Sequence, residues 1–291
     1  MSTRQRLNAF GIAPRKSLGQ NFLTDPSIAR AIVAAARIEP GDLVIEIGPG
    51  IGALTQFLVQ QAGHVIAIEL DQHLIPALQT ELHHPANLTI IHADALEVDY
   101  KAIRQTTGAV ACPIDTPVRV VGNLPYYITS SLVRRILESQ LNPALIVLTV
   151  QMEVAQRMVA EPDQMSLLAV SVQFYGQPRL VMRISPSAFY PQPDVDSAVV
   201  AITPHPQPLY PYPNSVFALA RAGFSQRRKQ LRNTLASGLG ITREQSEEIL
   251  LASRIDPARR AETLGIKDWI TLATHYDAQG HAQTVDSNRR A

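Results

Sequence analysis

Four consecutive residues near the middle of the chain, Asn123-Leu124-Pro125-Tyr126, have groups suited to holding a flat ring that bears an amine. They follow the apolar and small residues 118–122, which favour a strand. The amide oxygen and a backbone carbonyl can accept hydrogen bonds from the amine, and the tyrosine ring offers a stacking surface. On this stretch alone, a simple Asn-x-Pro turn after a strand explains the pattern equally well.

A glycine-rich turn lies upstream, where the strand-like run 43–47 leads into Gly48-Pro49-Gly50-Ile51-Gly52 and then into a helical pattern over 53–61. The spacing differs from the Gly-x-Gly-x-x-Gly of dinucleotide-binding proteins. Glycines let the backbone approach a ligand, and the start of a helix presents free amides to an anion such as a carboxylate. A turn required only for close strand–helix packing is the alternative interpretation.

Two acidic residues follow the next two predicted strands, Glu69 after 64–68 and Asp94 after 88–92. Glu69 is placed to accept hydrogen bonds from ribose hydroxyls, and Asp94 could accept one from an adenine amine. The carboxyl ends of parallel strands form the crevice in which open α/β sheets bind ligands. We therefore predict one pocket that combines the glycine turn, the two acids and residues 123–126.

The elements that must position these groups alternate between strand and helix, which predicts an α/β fold with a Rossmann-like, mostly parallel sheet. Runs 179–184 and 195–202 have no helical pattern between them and predict an antiparallel addition at the sheet edge. Beyond a proline-rich stretch the pattern is helical, including a predicted helix over 227–235. The predicted divisions are a basic N-terminal segment 1–26, a ligand-binding domain 27–204, a linker 205–213, a small all-helical domain 214–278 and a polar tail 279–291.

Composition and charge describe an ordinary globular chain of 291 residues that is 46% hydrophobic with a net charge of +1. The N-terminal stretch lacks the apolar core of a signal peptide, and no run of eighteen apolar residues occurs. The single cysteine, Cys112, rules out an internal disulfide, and these features predict a cytoplasmic protein without a membrane partner. Five basic residues and no acid between positions 221 and 232 indicate a surface for phosphates.

The motifs together resemble those of a known enzyme family. Glu46-Ile-Gly-Pro-Gly-Ile-Gly52, Glu69, Asp94 and Asn123-Leu-Pro-Tyr126 resemble the S-adenosylmethionine-dependent methyltransferases that modify the adenine amine, which have the class I methyltransferase fold. Three further motifs are similar to those of the ribosomal RNA small-subunit adenine dimethyltransferase A family. These motifs lie at residues 16–23, 189–197 and 224–233. The resemblance spans about residues 10 to 275. It implies dimethylation of two adjacent adenines near the 3′ end of 16S rRNA in an immature small subunit. Nothing in the sequence pattern demands a partner chain, so we expect a monomer.

The resemblance also implies roles for individual residues. The cofactor S-adenosylmethionine would be contacted by Asn21, Leu23, Gly48, Gly50, Glu69, Asp94 and Asn123. Catalysis would fall to Asn123, Leu124 and Pro125, with Tyr126 and Phe189 stacking on the extruded base. Phosphates of the RNA would be bound by Arg227, Arg228, Lys229 and Arg232. A metal site is not expected.

Two local departures from the family accompany these motifs. The loop 106–117 is longer than expected, and Gln164-Met165-Ser166 stands where the family often has a Tyr-Gly pair. Other functions also fit parts of the pattern: an adenine methyltransferase for large-subunit rRNA, one for DNA, and a non-catalytic ribosome-assembly factor that binds RNA. The intact 123–126 motif and the glycine turn argue against the last of these.

Overall fold

The computed structural model describes residues 1–105, 112–113 and 115–280, which form two compact units. The first unit contains 1–156 and 176–204, and the second contains 157–175 and the chain from 205 onward. This division departs from the predicted one, because 157–175 belongs to the helical unit rather than to the ligand-binding domain. Residues 205–213 and 1–26 also belong to the compact units, so neither forms a separate linker or segment.

The first unit is built on a seven-stranded sheet with the order β4-β3-β2-β5-β6-β9-β7, beside a two-stranded pair of β1 and β8. The strands are β1 Phe22–Leu23, β2 Leu43–Ile47, β3 His64–Glu69, β4 Leu88–His92, β5 Val118–Asn123, β6 Leu145–Gln151, β7 Gly176–Ile184, β8 Phe189–Tyr190 and β9 Ser197–Pro204. Strands β2 to β6 pair in parallel, whereas β9 pairs antiparallel with both β6 and β7. The predicted Rossmann-like sheet with an antiparallel edge is confirmed.

The parallel strands are apolar because both sheet faces are covered. All five residues of β2 and all six of β3 are buried, as expected for a parallel sheet between helices. The α-helices of this unit or at its boundary are Thr3–Ala9, Pro26–Ala35, Thr55–Gln61, Ile75–Glu81, Tyr100–Ile103, Thr129–Glu138 and Met152–Met158. Asp25 caps the second of these through the amide of Ser27, as its sequence predicts.

The N-terminal segment is ordered, although its polar sequence gave no prediction of structure. Ser2 and Gln5 form a capping box at the start of the helix Thr3–Ala9, a signal that the spacing Ser-x-x-Gln carries. Leu7 is fully buried in a small apolar cluster with Phe22 and Ile51. A short 3₁₀ turn, Lys16–Leu18, then leads to β1, which pairs with β8. These contacts fasten the segment to the glycine turn.

The second unit is helical and has its own core, as predicted. Its α-helices are Leu167–Tyr175, Pro213–Phe224, Leu231–Leu239, Arg243–Ala252 and Ile266–Ala278. Trp269 lies fully buried at the centre of their apolar cluster. The first helix was not predicted, because 167–175 is apolar around nearly its whole circumference and shows no amphipathic period.

The helix predicted over 227–235 begins four residues later, at Leu231. The preceding helix ends at Phe224, and Arg227, Arg228 and Lys229 lie in the exposed turn between the two.

No helix in the described part of the chain has both the length and the hydropathy needed to cross a membrane. Two predicted segments, the loop 106–117 and the tail 279–291, lie mostly outside the described residues.

Candidate active site

A pocket lies at the carboxyl ends of the parallel strands of the first unit. It is lined by Leu18, Gly19, Gln20, Asn21, Phe22, Leu23, Glu46, Ile47, Gly48, Pro49, Gly50, Ile51, Ala53, Leu54, Ile68, Glu69, Leu70, Leu74, Ala93, Asp94, Ala95, Asn123, Leu124, Pro125, Tyr126 and Ile128. Every residue predicted to contact a cofactor is among them. The sheet therefore joins motifs that lie more than a hundred residues apart in sequence.

The glycine turn forms one wall of this pocket. Gly48 and Gly50 have φ angles of +68° and +60°, in the left-handed region that residues with a Cβ adopt at a cost. A Cβ on Gly50 would lie 3.2 Å from the ring of Phe22. The turn thus requires glycine at position 50 both for its backbone conformation and for the close approach of the N-terminal segment.

Glu69 ends β3 and is held by backbone amides on both sides. Its Oε2 accepts from the amide of Gly50 at 3.0 Å, and its Oε1 accepts from the amide of Asp71 at 2.8 Å. Burial raises the pKa of Glu69, and the same two hydrogen bonds oppose that rise. The carboxylate is therefore rigidly oriented towards the pocket, and each oxygen keeps a second lone pair with which it could accept a ligand hydroxyl.

Asn123 ends β5, and its side-chain amide has a defined orientation. Its Nδ2 donates to the backbone carbonyl of Asn21 at 2.9 Å. A carbonyl can only accept, so this contact assigns the nitrogen to the Asn21 side and leaves Oδ1 as an acceptor for a ligand amine. Pro125 follows with φ −56° and ψ 131°, and the restriction that it places on Leu124 directs the Leu124 carbonyl.

The ring of Tyr126 lines the same pocket, and its hydroxyl is anchored. Tyr126 Oη and Ser197 Oγ lie 2.7 Å apart, and Ser197 is completely buried at the start of β9. Burial raises the pKa of the Tyr126 hydroxyl, partly offset by the Ser197 hydrogen bond. The phenol is thus neutral at physiological pH, and the ring is fixed at one end.

Glu46 is a pocket residue whose individual role sequence reasoning missed, although it begins the glycine motif. It is 1% exposed, and within the described part of the chain neither of its carboxyl oxygens has a hydrogen-bond partner. Burial raises the pKa of Glu46 to about 8; the nearby Thr55 hydroxyl opposes this rise, and the charge of Glu69 adds to it. A buried carboxyl without a partner is costly, and a positively charged ligand would remove that cost.

Leu70 was also missed. It follows Glu69 directly, is 43% exposed and lines the pocket. A large apolar side chain at the mouth of a polar crevice provides a surface on which a planar ring can pack. Its signal in the sequence was weak, because isolated exposed leucines are common on protein surfaces.

Phe189 is placed differently from the prediction. It is 5% exposed, pairs with Leu23 across β1 and β8, and belongs to the apolar core that includes Val199. It does not line the pocket. The stacking role predicted for it has no support in this position, because Phe189 is buried in that core and is not among the residues that line the pocket.

The predicted phosphate-binding residues divide into two groups. Arg227, Arg228 and Lys229 are exposed in their turn. Arg232 instead pairs with Glu247 at 3.1 Å and donates to Gln230 at 2.9 Å. Its Nη1 and Nε are thereby engaged within the helical unit, and its role as a phosphate ligand stays a prediction.

Comparison with known proteins gives the family of the chain. The chain matches the family model described as ribosomal RNA adenine dimethylase over residues 12–277. It is 44% identical to a ribosomal RNA small subunit methyltransferase A of Dehalococcoides mccartyi strain CBDB1, over 94% of this chain and 92% of that protein. A protein of the same name from Pelotomaculum thermopropionicum is 44% identical, over 95% of this chain and 96% of the relative.

Solved structures show the same fold. A dimethyladenosine transferase from Plasmodium falciparum superposes with a TM-score of 0.75 at 24% identity, covering 89% of this chain and 98% of the other. The 23S rRNA methyltransferase ErmE superposes with a TM-score of 0.67 at 25% identity, covering 88% of this chain and 100% of the other. With its family model matched almost end to end, the chain belongs to the ribosomal RNA adenine dimethylase family and is an S-adenosylmethionine-dependent methyltransferase of ribosomal RNA adenines.

Proposed function

We propose that this enzyme dimethylates the exocyclic amines of two adjacent adenosines near the 3′ end of 16S rRNA, in an immature small subunit in the cytoplasm, and that it acts as a monomer. One observation carries the proposal most directly. The amine-accepting end of β5, with Asn123 and Leu124, lines the same pocket as the glycine turn, Glu69 and Asp94. A site for a base amine and a site for a nucleoside cofactor thus adjoin.

The residues present fit S-adenosylmethionine. Glu69 and Asp94 would hold the ribose hydroxyls and the adenine amine, and Leu70 would pack on the adenine ring. The unpartnered carboxyl of Glu46 fits a ligand that carries positive charge. The backbone of Gly48 and Gly50 would lie closest to the ligand, as residues without a Cβ allow.

In the proposed mechanism the chain mainly accepts hydrogen bonds and positions the base. The cofactor supplies an activated methyl group on a sulfonium. Asn123 Oδ1 and the Leu124 carbonyl accept from the adenine amine, which favours a pyramidal nitrogen whose lone pair can attack. Tyr126 stacks on the extruded base, a contact worth about 1–3 kcal/mol. No strong base is needed, because in-line positioning can contribute up to about 7–11 kcal/mol and the proton leaves to solvent afterwards.

Cofactor affinity is expected to increase with pH up to about 8. In the free protein Glu46 stays protonated below its pKa of about 8. A cationic ligand favours the ionised form, so binding at lower pH must release a proton, and the dissociation constant should fall by up to about tenfold per pH unit until it levels off. Isothermal titration of S-adenosylmethionine between pH 6 and 9 measures the dissociation constant. Repeating it in buffers of different ionisation enthalpy measures the number of protons released on binding.

Glu46→Gln is the matched variant for that titration. It keeps the volume but cannot ionise, so weaker binding with a lost or reduced pH dependence is expected. The product S-adenosylhomocysteine lacks the sulfonium charge but keeps the amino group, so its titration shows which of these two cationic groups Glu46 responds to. Equal pH dependence in the wild type and in Glu46→Gln would contradict this role.

RNA affinity is expected to depend on the exposed basic turn. Changing Arg227 and Arg228 together to glutamate should weaken RNA binding and reduce the slope of log K against log salt by about 1–2, since each phosphate contact releases counterions. Cofactor affinity should not change. Arg30→Glu with Lys101→Glu makes the same change in net charge at exposed positions of the other unit. An equal loss in that control would assign the effect to net charge rather than to the turn.

Methyl transfer to defined substrates tests the proposed function. Labelled S-adenosylmethionine is incubated with the enzyme and with immature small subunits, free 16S rRNA, free large-subunit rRNA or naked DNA. The proposal expects dimethyladenosine at two adjacent positions near the 3′ end of 16S rRNA in the immature subunits. Preferential labelling of large-subunit rRNA or DNA would overturn the substrate assignment, and binding without labelling would indicate an assembly factor.

A further inference from the structure

The N-terminal segment crosses the pocket and is fastened at two points. In the sheet order, β2 lies between β3 and β5. Gln20 donates from Nε2 to Asp71 Oδ2 at 2.9 Å, just after β3. The next residue, Asn21, accepts from Asn123 Nδ2 at 2.9 Å, at the end of β5. Two consecutive residues therefore bridge the strands on either side of the glycine turn that follows β2.

The fastening on the β3 side is centred on Asp71, whose carboxylate side chain is only 2% exposed. Besides Gln20, it receives the backbone amide of His73 at 3.1 Å and the guanidinium of Arg15 at 3.4 Å, and its Oδ1 lies 2.9 Å from Nδ1 of the His73 ring. Although burial opposes ionisation, the Gln20 and His73 hydrogen bonds and the Arg15 charge hold the pKa of Asp71 below its usual range. Asp71 is thus a charged anchor whose contacts are shared between the segment, through Gln20 and Arg15, and the neighbouring His73.

The fastening on the β5 side determines which atom of Asn123 faces the substrate. With the Asn21 carbonyl in place, the amide nitrogen turns towards it and Oδ1 is available to the pocket. Without that carbonyl the amide could rotate, and its NH₂ group would face the substrate amine, so that two donors would oppose each other. The position of Asn21 therefore controls the acceptor on which the proposed mechanism depends.

We infer that Asp71 is a positioning residue for methyl transfer, acting through Gln20 and the Asn21 carbonyl to hold the side-chain amide of Asn123 in its accepting orientation. This inference deepens the proposed function and rests on it. Asp71 is not among the residues that line the pocket. Its effect is on the turnover of the assembled complex, beyond any contribution that the segment makes to cofactor affinity.

Turnover at saturating cofactor and RNA is the first test. Gln20→Ala and Asp71→Ala remove the same contact from its two ends, and each should lower kcat about tenfold or more, as expected for a hydrogen bond to a charged group. The double variant should lose little more than either single variant. Asp71→Asn retains an acceptor for Gln20 and should recover most of the lost kcat. Glu81→Ala, which breaks the Arg6 ion pair of the N-terminal helix instead, should stay within about twofold of the wild type.

The side-chain amide of Asn123 provides a readout that does not require catalysis. In protein labelled with ¹⁵N-asparagine, the NH₂ signals that vanish in Asn123→Ala belong to this residue. These signals should shift and exchange with solvent faster in Gln20→Ala and in Asp71→Ala, but not in Glu81→Ala. This measurement stands even if the RNA substrate is different from the one proposed.

Two results would overturn the inference. One is a higher KM for the cofactor with kcat unchanged in Gln20→Ala and Asp71→Ala. That result would mean that the segment contributes to cofactor binding and not to the orientation of Asn123. The other is an unchanged Asn123 amide signal in both variants. Thermal unfolding of each variant separates these outcomes from loss of the fold, and Asp71→Asn gives a second measurement if Asp71→Ala does not fold.

Discussion

Replacing Asn123 with alanine is expected to lower methyl transfer by about 10²–10³-fold, the loss typical of removing one precisely placed hydrogen-bonding group from a transition state. The substitution removes the Oδ1 acceptor for the substrate amine and also the contact with the Asn21 carbonyl. The Leu124 carbonyl remains but cannot orient the amine alone. Single-turnover transfer of labelled methyl groups at saturating cofactor measures the chemical step directly.

Folding and RNA binding should survive this change, because Asn123 lies at the end of its strand and is only partly buried. Asn8→Ala, at an exposed position of the N-terminal helix, makes the same chemical change away from the pocket. The control should retain wild-type transfer. Full activity in Asn123→Ala, with a normal unfolding transition, would exclude the proposed role of the Asn123 oxygen.

Gly50→Val is expected to weaken S-adenosylmethionine binding by about tenfold to a hundredfold. Position 50 has a φ of +60°, and its Cβ would lie 3.2 Å from the Phe22 ring. A branched side chain is strained in that conformation and would push the N-terminal segment away from the pocket. It would also disturb the amide that holds Glu69 Oε2.

Gly240→Val is the matched control for this substitution. Gly240 ends the helix Leu231–Leu239 with a φ of +68°, and nothing lies within 4 Å of its Cβ position. Both variants carry similar backbone strain, and Gly50→Val adds the contact with Phe22. Only Gly50→Val should lose affinity in an isothermal titration with the cofactor. Equal affinity in the two variants would mean that the turn acts in packing alone.

Local patterns in the sequence predicted most of the sheet and the pocket. The continuous apolar runs of β2, β3 and β6 and the glycine turn belong to single short segments, so their periodicity and composition are sufficient signals. The rule that ligands bind at the carboxyl ends of parallel strands then brought Glu69, Asp94 and Asn123 to one edge. The resemblance to a family added the identity of the cofactor and of the base.

Three features were decided only by tertiary structure. Phe189 packs in the core because β8 pairs with β1, more than 160 residues away in sequence. Leu167–Tyr175 folds with the helical unit, because a helix that is apolar around nearly its whole circumference has a position set by the elements that pack on it. Arg232 faces Glu247 because two helices pack together.

The sequence alone therefore determined which residues stand at the ends of the strands, since each strand is specified by its own short run of side chains. Tertiary structure decided how those residues are oriented. The Gln20–Asp71 and Asn21–Asn123 contacts join positions 51 and 102 residues apart. Such contacts form only when the sheet order places β3 and β5 on either side of β2, and no local period in the chain encodes that order.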